Sequence, residues 1–347
     1  MREFMDRTHI ETIIVGAGPA GSTCGYILTK NNRDCLIIDR KEFPREKLCG
    51  GGLTPKAHIL IDAIFEGIQY DYYSVNTIDM FSQKKYICSY TLDTELRTVS
   101  RRDFDNILLN EYQKLGGHKL TDTVVDLEES DDKIHLTLLS GKKLSCNYLI
   151  GADGANSVVR KYLQPDFKKG IICLEKTVED MSIRNMQVYF DKKFRNGYLY
   201  VFPNTKGYVV GYGDKGTNLD EFDRSLKEHN LMSGNRTKGA YIPMFDKIDY
   251  SFRDDIILIG DAGGYADSMT GEGIYFAVKS GENAALSIIQ SKDFRALNKR
   301  VIDVIRKRRL MSEIFFFTPV HSLFIFLCKR KRWLAKINRK VNEALSI

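Results

Sequence analysis

Short, wholly apolar runs ending in glycine or acid alternate along the chain with stretches whose apolar residues recur every three or four positions, so strands and helices are predicted to alternate. Residues 12–15 (TIIV) are predicted as a strand. Gly16-Ala17-Gly18-Pro19-Ala20-Gly21 follows as a turn, then a helix over 22–30 and a second strand over 35–38 that closes on Asp39. A helix is predicted around 56–65, strand-like alternation over 70–96 and an amphipathic helix over 103–115. Strands are expected at 124–128 and 134–139, with Asp131-Asp132 as the turn between them and Ser140-Gly141 after the second. Residues 148–150 lead into Gly151-Ala152-Asp153-Gly154. Over 171–210 the period drops to two (Val188, Phe190; Leu199, Val201; Tyr208, Val210), as a sheet with one covered face requires. A strand at 256–259 ends in Gly260-Asp261-Ala262-Gly263-Gly264, a helix is predicted over 273–290, and the last fifty or so residues are helical.

Composition changes this picture little, and charge changes it more. The 347 residues leave room for one elaborated domain or two sharing a core, and 43% hydrophobic with 28% charged residues excludes a disordered chain. The formal charge of +7 invites a nucleic-acid reading, but it is unevenly spread. Residues 292–347 hold 15 basic and 4 acidic residues, net +11, and the remainder is net −4. A local anionic surface therefore suits the tail better than nucleic acid. The 7 cysteines are scattered without a CxxC or a close His pair, so neither a disulfide framework nor a zinc site is expected. The N-terminal stretch passes from a charged leader straight into a strand without the features of a secretory signal, and a cytoplasmic setting is expected.

The opening strand, glycine turn, helix, strand and acid form the first βαβ unit of a dinucleotide-binding fold. Gly16 permits the tight turn, Gly18 lets backbone approach a pyrophosphate, and Gly21 lets helix pack on strand. Asp39 lies eighteen residues beyond Gly21, where its carboxylate can accept from both ribose hydroxyls and would repel a 2′-phosphate. FAD or NAD is thereby favoured over NADP.

Gly151-Ala152-Asp153-Gly154-Ala155-Asn156-Ser157-Val158-Val159-Arg160, then Gly260-Asp261-Ala262-Gly263-Gly264 and Gly271-Glu272-Gly273-Ile274, follow in this order. Together the pieces resemble the single-dinucleotide-domain flavoproteins that include aromatic hydroxylases, flavin halogenases and geranylgeranyl reductases. The resemblance implies FAD as cofactor, held by Gly16, Gly18, Ala20, Gly21, Asp39 and Arg40 at the adenosine end. Asp153 and Gly154 would support the diphosphate, Asp261 the ribityl chain or phosphate, and Gly271, Gly273 and Ile274 would face the flavin pyrimidine. Taken singly, Asp153 and Asp261 could equally be turn or cap residues. Within Val99-Ser100-Arg101-Arg102-Asp103-Phe104-Asp105, Arg101 aligns with an arginine that contacts the diphosphate; the competing reading is a solvated arginine pair capped by Asp105.

Two segments narrow the resemblance to the geranylgeranyl reductases. Phe43-Pro44-Arg45-Glu46-Lys47-Leu48-Cys49-Gly50-Gly51-Gly52 resembles their PxxKxCGG loop, implying that Cys49, Gly50 and Gly51 lie beside the flavin. Gly197-Tyr198-Leu199-Tyr200-Val201-Phe202-Pro203-Asn204 resembles their YxWxFPK strand, with Tyr200 for Trp and Asn204 for Lys. Tyr198, Tyr200 and Phe202 share one face of that strand and would line an apolar substrate tunnel, although an aromatic stripe at this spacing also builds ordinary core.

Elements and motifs together predict an α/β protein: a Rossmann-like FAD domain over residues 1–69, 97–165 and 250–291, an inserted antiparallel-sheet substrate domain over 70–96 and 166–249, and a helical basic C-terminal region over 292–347. The expected activity is C=C reduction in a prenyl or similar apolar lipid, with Cys49 and Tyr200 as candidate catalytic groups. No second GxGxxG is present, so the external reductant is NAD(P)H or a reduced carrier meeting the flavin transiently. A flavin monooxygenase of an aromatic or polyketide substrate and a lipid carrier without turnover are the alternatives. The six histidines are isolated, with no metal cluster or hydrolytic triad. Residues 314–328 (IFFFTPVHSLFIFLC), followed by Lys329-Arg330-Lys331-Arg332-Trp333, fall short of a membrane span. They read as an interfacial element at the inner face of an anionic membrane or as a helical pair packed on the substrate domain.

Overall fold

A computed structural model describes residues 7–167, 170–191, 194, 197–214, 216, 218–231, 236–243 and 254–346. It opens with β1 (His9–Val15), α1 (Pro19–Lys30) and β2 (Cys35–Asp39). The helix begins three residues before the predicted start, because Gly18 is its N-cap and proline suits the first helical turn. Next come β3 (Gly52–Leu53), α2 (Pro55–Ile64), the hairpin of β4 (Tyr73–Ser82) and β5 (Lys85–Thr98), α3 (Arg101–Lys114), β6 (His118–Thr121), β7 (Val124–Ser130), β8 (Lys133–Leu138) and β9 (Lys143–Gly151). A 3-10 turn at Gly154–Asn156 and α4 (Val158–Leu163) lead to β10 (Gly170–Val178), β11 (Met186–Phe190), β12 (Tyr198–Asn204) and β13 (Gly207–Asp214). The chain continues through α5 (Leu219–Glu228), β14 (Lys238–Pro243), β15 (Ile256–Leu258), α6 (Ile274–Gln290), α7 (Phe294–Phe316), α8 (Thr318–Cys328) and α9 (Lys331–Ser346).

Two sheets result. In the first, β6, β2, β1, β9 and β15 run parallel, and the β7–β8 hairpin is attached antiparallel to the start of β9. The strands β1, β2 and β15 and the end of β9 are buried on both faces, with Ile13, Ile14, Ile37, Ile38, Leu149 and Ile150 fully enclosed, which is why they read as continuous apolar runs. The carboxyl ends of β1, β2, β9 and β15 carry the glycine turn, Asp39, Gly151-Ala152-Asp153-Gly154 and Gly260-Asp261, the end of an open α/β sheet where ligands bind.

The second sheet has the order β14-β10-β13-β12-β11-β4-β5-β3. It is antiparallel as expected except that β4 and β11 run parallel, from Ile78 against Met186 to Ser82 against Phe190. One boundary needs correction. β3, within the stretch assigned to the dinucleotide-binding domain, pairs with β5 through Gly52 against Thr98 and Leu53 against Arg97, so the loop after β2 supplies an edge to the second sheet. Residues 250–253, the expected start of the last dinucleotide-binding segment, lie outside the described residues.

The three C-terminal helices close one side. Phe324, Ile325, Cys328, Leu334, Ile337 and Val341 pack against Met80, Ile87, Cys88 and Tyr90 of the β4–β5 hairpin.

Candidate functional site

The glycine turn is built by exclusion of side chains. Gly16 has φ +108, and a Cβ there would lie 2.3 Å from the Ala152 carbonyl oxygen. A Cβ on Gly21 would fall 1.9 Å from the Gly16 carbonyl oxygen. Gly18 is different: its Cβ direction meets only Arg45 Nη2, at 3.5 Å, and its helix has no side-chain cap. The first amides of α1 are thus left for an anion. Asp39 braces the turn, Oδ2 accepting from the Ala17 amide at 2.8 Å and Oδ1 from Lys41 at 2.8 Å. Arg40 is exposed beside it. Ala20 lies at the crossing of α1 and α6, where a Cβ on Gly281 would come 2.4 Å from its carbonyl oxygen.

Beside Gly18 stands an ion cluster the sequence did not announce. Asp105 is fully buried and receives Arg101 Nε and Nη2, both at 2.8 Å, and Arg45 Nη2 at 3.1 Å. Two guanidinium groups on one carboxylate leave a net positive charge, and Arg45 Nη1 is buried with no partner among the described residues. A buried unpaired donor is costly unless a ligand satisfies it. This corrects the alternative in which Asp105 caps a solvated arginine pair: Ser100 caps α3, Arg101 is buried and Arg102 is exposed. Burial disfavours the Arg101 charge, but the Asp105 carboxylate and the Cys49 thiol beside it favour the cation, and its pKa is raised.

The other pieces converge on the same edge. Asp153 Oδ2 accepts from the Val158 amide at 2.6 Å, as a cap would, while Oδ1 is buried with no partner among the described residues, and burial raises the pKa of this carboxyl. Gly154 has φ +79 with open space at its Cβ position. Arg160 Nη1 donates to the carbonyls of Asp261 at 2.9 Å and Ala262 at 3.0 Å, joining two of the predicted motifs. Asp261 faces Lys47 Nζ at 3.8 Å. Gly271 has φ +72, and Gly273 caps α6 without a side-chain hydrogen bond, with Ile274 buried at the first position. Buried Lys56 and Glu272 pair at 3.0 Å beside this loop.

The Cys49 loop meets the second sheet at a tight seam. Gly51 has φ +72, and its amide donates to Cys49 Sγ at 3.4 Å. A Cβ on Gly50 would lie 2.6 Å from Phe202 Cδ2, so the ring rests on bare backbone. Tyr198, Tyr200 and Phe202 share a face of β12 as predicted, but each already has a neighbour. Tyr198 donates to the Thr270 carbonyl at 2.6 Å, tying β12 to the Gly271 loop, and Phe202 packs against the cluster of Val75, Leu92, Leu96 and Met186. Tyr200 donates to Glu175 Oε1, lies 3.4 Å from Cys173 Sγ and covers Gly211. Glu175 is buried; desolvation raises its pKa, opposed by Tyr200, Lys47, Arg101 and the Gly50 amide. Arg45, Asp105 and Glu175 are the residues sequence reasoning missed. Arg45 stands inside a motif already singled out, but nothing local links it to Asp105.

An uncapped helix N-terminus over a glycine turn, an acid at the tip of the second strand, and an arginine pair with a spare donor fit a dinucleotide with its diphosphate at the α1 amides. The fold and site together define a flavin-dependent oxidoreductase. The family model described as "FAD binding domain" matches residues 9–218. The chain is 32% identical over 321 residues to an uncharacterised protein of Methanosarcina barkeri, covering 88% of this chain and 80% of that one. It is 28% identical to the geranylgeranyl diphosphate reductase of Rhodobacter capsulatus, covering 79% and 74%. To the menaquinone reductase of Mycolicibacterium smegmatis it is 25% identical, covering 80% and 76%. In fold it is similar to a geranylgeranyl bacteriochlorophyll reductase-like protein of Thermoplasma acidophilum, with a TM-score of 0.79 at 18% identity over 93% of this chain and 92% of that one. The chain belongs to the FAD-binding domain family.

Proposed function

We propose that this protein reduces C=C bonds of a prenyl or similar apolar lipid. The carrying observation is the seam itself, where the Cys49–Gly52 backbone lies against the aromatic face of β12 with buried Glu175 and half-buried Tyr200 beside it. Relatives named as reductases of geranylgeranyl diphosphate and of menaquinone support the reading.

When bound and reduced, FAD supplies a hydride for one alkene carbon. Everything else falls to the chain. Gly16, Gly18, Arg45 and Arg101 would hold the diphosphate end, and the Gly271–Gly273 backbone with the α6 N-terminus would hold the ring end. An isolated alkene is a poor electrophile, so positioning and a proton for the second carbon must supply much of the acceleration. Cys49 and Tyr200 are the protic groups the seam offers. Tyr200 is the better supported donor: its hydroxyl shares a hydrogen bond with the Glu175 carboxyl, whose pKa burial raises, and delivery of a proton from Oη would require that bond to reverse, with a protonated Glu175 donating to Oη. The external reductant, NAD(P)H or a reduced carrier, meets the cofactor from outside, because no second dinucleotide turn is present in the sequence.

The test is an anaerobic single turnover. Photoreduced protein is mixed with geranylgeranyl diphosphate, with menaquinone, or with a prenyl-lipid extract, while flavin reoxidation and product mass are followed. Products gaining two hydrogens per bond support the proposal. Hydroxylated product formed only when oxygen is admitted would make it a monooxygenase, and a protein that takes up no FAD would make it a carrier.

A further inference from the structure

The outward faces of the C-terminal helices carry an apolar surface that the site does not use. Of the 18 exposed large hydrophobic residues among those described, eight fall between residues 310 and 333. The others are scattered singly, as on any soluble protein. On α7, Leu310 and Ile314 stand one helical turn apart, Phe317 occupies the bend, and Leu323 and Phe326 continue on α8 before Trp333 on α9. Phe317 and Leu310 are 62% and 60% exposed. These side chains are not spare core, because the opposite faces of α8 and α9 already pack on the β4–β5 hairpin. A contiguous apolar surface of this kind marks a docking site.

We propose that this surface docks on an anionic lipid bilayer, lying in its interface. Charge selects the occupant. Arg330 sits over the Phe326 ring at 5.1 Å and Lys336 over Trp333 at 4.9 Å, with Lys329 and Arg332 adjacent, so cations border the apolar groups directly. Each such cation is drawn to the negative surface potential of an anionic leaflet. A second copy of this chain is the poorer partner, since it would bring together two segments that are each net +11. Insertion across the bilayer is also disfavoured. Among the described residues no single helix is long and apolar enough to span it, and α7 and α8 pass the length and hydropathy test only as a pair bent by 84°.

The same helices reach the seam on their inner side. Lys56 Nζ and Arg308 Nη2 both donate to the Ala344 carbonyl, at 3.5 and 2.7 Å. Lys56 pairs with Glu272, and Arg308 with Asp267 at 3.1 Å, two carboxylates that flank Gly271. Leu345 packs in the cluster that contains Phe202. Bilayer and seam thus lie on opposite sides of one helical layer, a short path for a lipid; that path rests on the proposed reductase activity, whereas the docking does not.

The experiment is vesicle flotation of the full-length, FAD-loaded protein with phosphatidylcholine vesicles, with or without phosphatidylglycerol. The chain contains one tryptophan, Trp333, so its emission reports this surface alone. We expect flotation only with anionic vesicles, partial release on raising salt from about 0.1 to 1 M, which shortens the screening length from about 10 to 3 Å, and a blue shift of Trp333. The triple variant Ile314→Glu, Phe317→Glu, Leu323→Glu should lower the bound fraction at least ten-fold with flavin content unchanged. Absence of wild-type flotation and blue shift, or equal binding by the variant, overturns the proposal. So does a wild-type dimer that the variant converts to monomer. Neither readout involves turnover, so a failed reductase assay leaves the result intact.

Discussion

On the parallel-sheet side of the seam the backbone does the holding. Gly16, Gly21 and Gly51 keep side chains out, so that backbone carbonyls can come close. On the second-sheet side the side chains do it: Glu175, Tyr200 and Tyr198 are each secured by a named hydrogen bond on otherwise regular strands. The first arrangement is broken by adding volume and the second by leaving a polar group without its partner. The Arg45–Asp105–Arg101 cluster combines the two, since it lies by the glycine turn yet depends on buried charge.

That cluster provides the largest expected effect. Arg101→Met leaves Asp105 with Arg45 alone in a fully buried position, and losing one partner of a buried pair costs about 3–5 kcal/mol. Urea denaturation should show a loss near the lower end, because Arg45 remains. The triple variant Arg45→Met, Arg101→Met, Asp105→Leu, which leaves no charge of the cluster unpaired, should recover much of the stability but bind FAD more weakly than wild type, as measured by flavin absorbance after gel filtration. Full recovery of both would remove the cluster from the cofactor site.

Two glycines separate steric from packing damage. Gly21→Ala drives a Cβ into the Gly16 carbonyl, an atom that cannot rotate away, and should cost about 1–3 kcal/mol and abolish FAD uptake. Gly50→Ala meets the Phe202 ring instead, a side chain that can be shortened. Adding Phe202→Leu should relieve Gly50→Ala with a coupling of about 0.5–3 kcal/mol and do nothing for Gly21→Ala. Equal rescue of both would mean that the seam and the glycine turn relax as one unit.

The same division governs what could be read from the chain. Gly16, Gly18, Gly21, Asp39 and the turn at Asp131-Asp132 were legible because their roles follow from local backbone geometry, and both turn aspartates do adopt positive φ, +51 and +56. The β4–β5 turn was not legible: Gln83 and Lys84 take φ +49 and +65 without the Asn or Gly that usually signals such a turn. α5 also escaped, although Asn218 accepts from the Glu221 amide at 2.8 Å as an N-cap, because it lies beyond the 171–210 run of strand periodicity, in a stretch assigned only to the antiparallel-sheet domain. Asp105 with Arg45, and Glu175 with Tyr200, belong together only through the fold. Residues on different elements that exchange charge leave no spacing to detect.

A smaller effect on stability, and a specific one on chemistry, is expected at Glu175. Glu175→Gln keeps the shape and an acceptor for Tyr200 while removing the exchangeable carboxyl proton. With FAD still bound, single-turnover alkene reduction should slow by about 10²–10⁴-fold, the usual contribution of a general acid. Cys49→Ser provides the contrast, slowing turnover only if the thiol rather than the Tyr200 hydroxyl supplies the proton. An unchanged rate in Glu175→Gln would return that role to Cys49 or to water.

The least disruptive test uses pH, because the two sides of the molecule should respond with opposite sign. Buried His58 on α2 bonds the Glu95 carbonyl of β5 at 3.1 Å, and burial, helped by the Arg97 charge, lowers its pKa. The folded protein therefore favours neutral imidazole, and the unfolded chain, titrating near pH 6.5, takes up the extra proton on acidification. Its contribution is present above about pH 6.5 and is lost as pH falls below. Glu175 has its pKa raised by burial, so its contribution is present below the unfolded value of about 4.3 and is lost as pH rises through the folded one. Thermal melts from pH 4 to 9 should show His58→Gln removing a loss of stability on acidification below about pH 6.5, and Glu175→Gln removing a loss of opposite sign that sets in as pH rises above about 4.3. If both variants changed the pH dependence with the same sign, the α2–β5 junction and the Glu175 pocket would be one electrostatic unit, and the contrast between a backbone-held and a side-chain-held half would fail.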